Sequence, residues 1–98
     1  MEIRQSREGG KLTFALDGQL DANSSKEFEK VLTEETKGVT ELVLDMEKLT
    51  FITSAGLRVL AIAQKMMARQ GHMILRNVQS DVREVCDMTG ISRFLTIE

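Results

Sequence analysis

The sequence predicts an α/β fold: a mostly parallel sheet of about five strands, the first antiparallel, with helices packed on one face. Three observations predict it. Segments of period-2 apolar alternation interleave with segments of helical period, in the order strand, strand, helix, strand, helix, strand, helix, strand. This order contains three strand-helix-strand units, and right-handed crossovers make the strands they join parallel neighbours. The strands alternate apolar and polar, as expected of a sheet with one wet face, and sequential strand order puts every crossover on the same side. Val43 and Ile74 depart from that alternation.

Glu2 to Arg7 is read as the hairpin partner of the next strand, because Glu8-Gly9-Gly10 is a turn signal. Lys11 to Asp17 alternates cleanly, with Leu12, Phe14 and Leu16 on one face. Asp21, Asn23, Ser24 and Ser25 suit a helix start, and Phe28, Val31 and Leu32 follow at i, i+3 and i+4. A helix is therefore expected from about Ala22 to Thr36, closed by Lys37-Gly38. Glu41 to Asp45 is a short strand built on Leu42, Val43 and Leu44. Ser54 to Gln70 is the longest helix, with Leu57, Leu60, Ala61, Gln64, Met67 and Ala68 on one stripe and Gly71 as its stop. Val59, Ile62 and Met66 form a second stripe with two readings, an adaptable partner-binding surface or core packing between neighbouring helices, of which core packing is preferred, while Arg58, Lys65 and Arg69 share the solvent side. His72 to Arg76 is a strand, Ser80 to Thr89 a helix ending at Gly90, and Phe94 to Ile97 a final strand.

The bulk properties restrict function. Ninety-eight residues suit a single domain spanning 1–98, and 42% hydrophobic with 29% charged residues is ordinary for a soluble globular chain. A net charge of −2, the lack of any basic run and only four aromatic residues, all Phe, argue against nucleic acid as a partner. The polar, alternating start lacks a signal-peptide pattern, and no apolar stretch approaches the roughly 20 residues needed to insert through a membrane. One cysteine, Cys86, cannot form an internal disulfide, which fits a reducing, cytoplasmic setting. No Gly-rich phosphate loop, dinucleotide fingerprint or metal-ligand cluster is present, so no cofactor is expected.

The stretch from Leu44 to Arg58 is the most informative. It joins the carboxyl end of a strand to the start of a helix, where ligands and partners of open α/β sheets commonly act. Ser54 opens that helix and has two readings. Its hydroxyl could cap the helix by accepting a backbone N–H. That is the more ordinary role of a serine at a helix start, but modification is physically available, since the unpaired N–H groups and the positive end of the helix dipole favour a phosphate there.

Asp45-Met46-Glu47-Lys48-Leu49-Thr50-Phe51-Ile52-Thr53-Ser54-Ala55-Gly56-Leu57-Arg58 resembles the signature of STAS domains: an aspartate, a short loop, an aromatic, an aliphatic, two small polar residues and a Gly-Leu pair opening a helix. Gly18-Gln19-Leu20-Asp21-Ala22-Asn23-Ser24 resembles the family's other recognisable loop, and the element order matches over nearly the whole chain. The resemblance implies a cytoplasmic anti-sigma-factor antagonist. Its partners would be an anti-sigma factor with serine kinase activity, bound by the unphosphorylated form and released by the phosphorylated one, and a serine phosphatase. It implies Ser54 as phospho-acceptor, with Thr53 as fallback, because Ala55, which some relatives replace with the acceptor, has no hydroxyl here. Some relatives carry an aspartate where Thr53 stands, which leaves Asp21 as the nearby acid. Asp21, Asn23, Ser24, Thr53, Ser54, Ala55, Gly56, Leu57 and Arg58 are the implied partner-binding residues, Arg58 also being placed to hold a phosphate. Relatives usually continue into a further helix after the last strand, whereas this chain ends at Glu98.

Three other readings compete, one of them a purely structural dimer, which the sequence neither supports nor refutes. The same fold could serve as a constitutive binding subunit of a transporter or signalling assembly, with Ser54 only a cap. A phosphocarrier-type enzyme could use Cys86 or His72, although Cys86 lies beside Val82, Val85 and Met88, as expected of a small buried hydrophobe.

Overall fold

The computed structural model describes residues 1–98 and contains four strands and three α-helices. They run β1 Glu2–Glu8, β2 Lys11–Leu20, α1 Ala22–Glu35, β3 Glu41–Ile52, α2 Ser54–Ala68, β4 His72–Arg76 and α3 Ser80–Thr89, followed by a 3₁₀ turn at Ile91–Arg93. The sheet order is β1-β2-β3-β4, with β1 antiparallel to β2 and the remaining pairs parallel. The predicted fold class therefore stands.

Alternation explains which face is covered. Leu12, Phe14 and Leu16 of β2, Leu42 and Leu44 of β3, and Met73 and Leu75 of β4 are all at most 1% exposed and join one core with Phe28, Leu32, Leu60 and Met67 from the helices. The Phe14 and Phe28 rings meet edge to face, 5.7 Å apart at 87°. The two apolar residues that broke the pattern belong to the other face. Val43 pairs with Thr13 on one side and Ile74 on the other, and it is buried between them outside the main core.

Two expectations need correction. The third strand does not end at Asp45 but continues to Ile52. Its inward residues run Leu42, Leu44, Met46 and then Leu49 and Ile52. The spacing changes from two to three because two register shifts each insert an extra β3 residue, between the Ala15–Asp45 and Asp17–Lys48 pairs and between the Gly18–Leu49 and Gln19–Phe51 pairs. A bulged strand loses its period-2 signature, so the sequence resembles a loop there. The fifth strand, expected over Phe94–Ile97, is reduced to a single parallel bridge between Leu75 and Ile97. Phe94 continues the preceding turn, donating its N–H to the Ile91 carbonyl, and is 74% exposed. Of the adjacent pair Phe94-Leu95, only Leu95 reaches the core.

The second helix also packs differently from its pattern. Val59 is buried, but Ile62 and Met66 are only half-buried, and Arg58, Lys65 and Arg69 are exposed as expected. Gly38 and Gly90 end α1 and α3 with φ of 78° and 81°, whereas Gly71 has no such conformation. Space explains Gly71: a Cβ there would fall on the backbone carbonyl of Thr40. No helix is long and apolar enough to cross a membrane.

Candidate functional site

The extension of β2 to Leu20 and of β3 to Ile52 carries the two informative loops to the same end of the sheet, beyond the carboxyl ends of two parallel neighbours. Besides the strand ladder, the Thr50 hydroxyl donates to the Gly18 carbonyl at 3.2 Å, and a second anchor lies at Leu20. The Leu20 carbonyl accepts from both the Thr53 N–H, at 3.0 Å, and the Thr53 hydroxyl, at 3.2 Å. Gly56 is buried one turn along, and a Cβ on it would come within 3 Å of the Leu20 carbonyl and of the Ile52 and Leu20 side chains. A glycine is therefore what lets the first turn of α2 sit down on the strand ends. Leu57 completes the contact from below, 9% exposed and part of the core.

The two helix starts are finished differently. Asp21 caps α1: its carboxylate accepts from the N–H groups of Asn23 and Ser24, at 3.1 and 3.0 Å. The Ser24 hydroxyl completes the capping box by accepting from the Asp21 N–H at 2.9 Å, and it donates to the Gln19 carbonyl at 2.7 Å. The N–H and hydroxyl of Ser24 hold the Asp21 carboxyl below its ordinary value. Asp21 and Ser24 thus hold the loop in shape, and Ser24 is buried, while Asn23 is its exposed amide.

This cap is testable. A depressed folded-state pKa makes stability present above the unfolded carboxylate value of about 4 and lost as pH falls through the folded one. Asp21→Ala should melt at lower temperature than the parent protein at pH 7, with the gap closing below about pH 4 in calorimetric scans.

At α2 the N-cap position belongs to Thr53, not Ser54, and Thr53 supplies no side-chain cap because its hydroxyl is committed to Leu20. The cap reading of Ser54 is thereby removed. Ser54 is the first helical residue, it is exposed, and its hydroxyl makes no hydrogen bond within the protein. The amino end of α2 thus presents uncapped N–H groups next to a free hydroxyl. Ala55 is half-buried beside it, and Arg58 lies one turn along, exposed and without an ion pair. Asn23, Ser54 and Arg58 are the exposed polar side chains that these elements contribute.

Sequence reasoning passed over Phe51 as a contact residue. It is the penultimate residue of β3, opposite Gln19, and is 51% exposed, an apolar ring close to Ser54 in the chain. The available signal was an aromatic residue one position out of phase with Leu49 and Ile52. The two candidate catalytic residues fare differently. Cys86 is fully buried, and that burial pushes its thiol above the ordinary value, which favours the unreactive protonated form. His72 is exposed at the start of β4, 3.9 Å from Glu41.

The STAS domain family model matches residues 2–98. BtrV of Bordetella bronchiseptica, named as a candidate anti-sigma factor antagonist, is 33% identical over 99 residues, covering 99% of this chain and 83% of that protein. Among solved structures, the anti-sigma factor antagonist SpoIIAA in its unphosphorylated form superposes with a TM-score of 0.82 at 22% identity, over 99% of this chain and 88% of that one. The phosphorylated form of this Bacillus protein gives 0.77 at 19% identity, over 99% and 91%. An antagonist-like protein of Thermotoga maritima gives 0.90 at 19% identity, over 97% and 84%. With the family match spanning both loops and the whole sheet, the chain belongs to the STAS domain family.

Proposed function

We propose that this protein is an anti-sigma-factor antagonist, a binding module that holds an anti-sigma factor when Ser54 carries a free hydroxyl and releases it when Ser54 is phosphorylated. The observation that carries the reading is the free, exposed hydroxyl of Ser54 at the uncapped start of α2, beside the capped Asp21 loop. BtrV's name and the existence of SpoIIAA in a phosphorylated form support it. The anti-sigma factor acts as the serine kinase and supplies ATP, and a serine phosphatase resets the switch.

The physical basis is local. Phosphorylation adds about 1.5 to 2 negative charges and a bulky group at the centre of the docking surface. Asn23, Ser54, Ala55 and Phe51 offer that surface, while Asp21, Ser24, Thr53, Gly56 and Leu57 set its shape. Arg58 is placed to engage the phosphate, which lets the modified helix start persist without refolding.

Incubation with ATP and the cognate anti-sigma kinase, followed by peptide mass mapping, should place one phosphate on Ser54 and none on Thr53, whose hydroxyl is tied to Leu20. A protein that stays unmodified at both residues would instead be a constitutive STAS subunit.

A further inference from the structure

Helix α2 carries a row of cations that the fold itself does not use. At 100° per residue, Ser54, Arg58, Lys65 and Arg69 fall within a sector of about 60°, opposite the buried Leu60, Ala63 and Met67. All four are exposed. Ion pairs engage Arg4, Lys11, Arg76 and Arg83 elsewhere, but none engages these three cations. No acidic residue occurs between Glu47 and Asp81, so nothing on α2 or its flanking connections offsets the charge.

Ordinary solvated helix faces mix their signs, as α1 does with Lys26, Glu29, Lys30 and Glu34. Lys65 and Arg69 instead form a like-charge i,i+4 pair, an arrangement that weakens a helix slightly. Half-buried Ile62 and Met66 run beside the row and, with Lys65 and Arg69, line a shallow groove. The face is cationic and apolar at once over about 16 Å from Arg58 to Arg69.

We infer that this face of α2 docks an acidic amphipathic segment of the partner protein, carboxylates meeting the three cations and an apolar side chain entering the groove beside Ile62 and Met66. The inference rests on the proposed function only in taking the partner to be a protein. It also deepens that function, because Ser54 heads the same row and a phosphate there would place negative charge where the acidic segment arrives.

Two synthetic helical peptides of about 16 residues, sharing leucines at i, i+3, i+4 and i+7 but flanked by Glu in one and Lys in the other, provide the probes. In an NMR titration of the full chain, the Glu peptide should shift the amide signals of residues 58–70 and bind more weakly as salt rises. The Lys65→Glu/Arg69→Glu variant should bind it about tenfold more weakly, and Lys65→Gln/Arg69→Gln, which leaves the helix charge-neutral there, should show a smaller loss. Equal binding of the Lys peptide, shifts centred on another element, or unchanged affinity in both variants overturns the inference. The titration uses unphosphorylated protein and no kinase, so failure of this test and failure of the Ser54 switch remain distinguishable.

Discussion

Ser54→Asp is expected to bind the anti-sigma factor at least tenfold more weakly than the wild type, while Ser54→Ala stays within about threefold. Both substitutions sit at the first helical position of α2, on an exposed side chain without internal hydrogen bonds, so neither removes a contact that holds the fold. A carboxylate at a helix start is favoured by the dipole, and Ser54→Asp should therefore fold at least as well as the parent protein. Weaker binding by that variant would then report the docking surface and not unfolding. Aspartate carries one charge and less bulk than a phosphate, so its effect is a lower bound for the modified serine. Titration calorimetry with the purified partner measures both variants, and equal affinities would place the control point elsewhere.

The largest effect on stability is expected at Gly71. A Cβ there would collide with the carbonyl oxygen of Thr40 and lie within 3 Å of its carbonyl carbon and Cα, all backbone atoms that cannot rotate away. That same carbonyl accepts the His72 N–H at 3.0 Å, so moving it disturbs the start of β4 beside β3. Gly71→Ala should destabilise the protein by about 3 kcal/mol, the upper part of the range for overpacking, and lower its melting temperature by roughly 15 °C. At Gly56 an added methyl meets two side chains that can yield as well as the Leu20 carbonyl. The loss there should be smaller, but it falls on the seat of the Ser54 turn. An unchanged melting temperature in Gly71→Ala would contradict the packing described for the α2–β4 connection.

Clean periodicity made most of the fold legible. Leu12, Phe14 and Leu16 marked β2 by alternation, and the helical spacing of Phe28, Val31 and Leu32 marked α1, because each burial pattern follows directly from local geometry. Legibility failed where geometry changed within an element. The extra residues of β3 shifted Leu49 and Ile52 out of phase, so half of a 12-residue strand read as loop. Phe94-Leu95-Thr96-Ile97 has the composition of a strand, yet the turn that follows Gly90 leaves only Ile97 in register with Leu75.

The site was legible as a segment and less so as a set of roles. Sequence placed Thr53 and Ser54 together at the helix start, but it could not tell which was the cap, because that depends on the Leu20 carbonyl 33 residues away. Asp21 and Ser24 were legible only as helix-start residues, and the structure joins them in a capping box. The half-exposed ring of Phe51 was hidden by the same bulges that hid the strand. Arg58, Lys65 and Arg69 were recognisable as one face from spacing alone, whereas the absence of any ion pair along it required the fold.

The central claim is that one phosphate on Ser54 converts adhesion into release. Its most direct measurement is the affinity of the anti-sigma factor for the chain before and after stoichiometric phosphorylation by its kinase, with Ser54→Ala carried through the same treatment as control. A penalty of about 3 kcal/mol predicts a loss of more than a hundredfold for the phosphorylated protein and no change for the control. Equal affinity of the two forms, with phosphate confirmed on Ser54, would contradict the account.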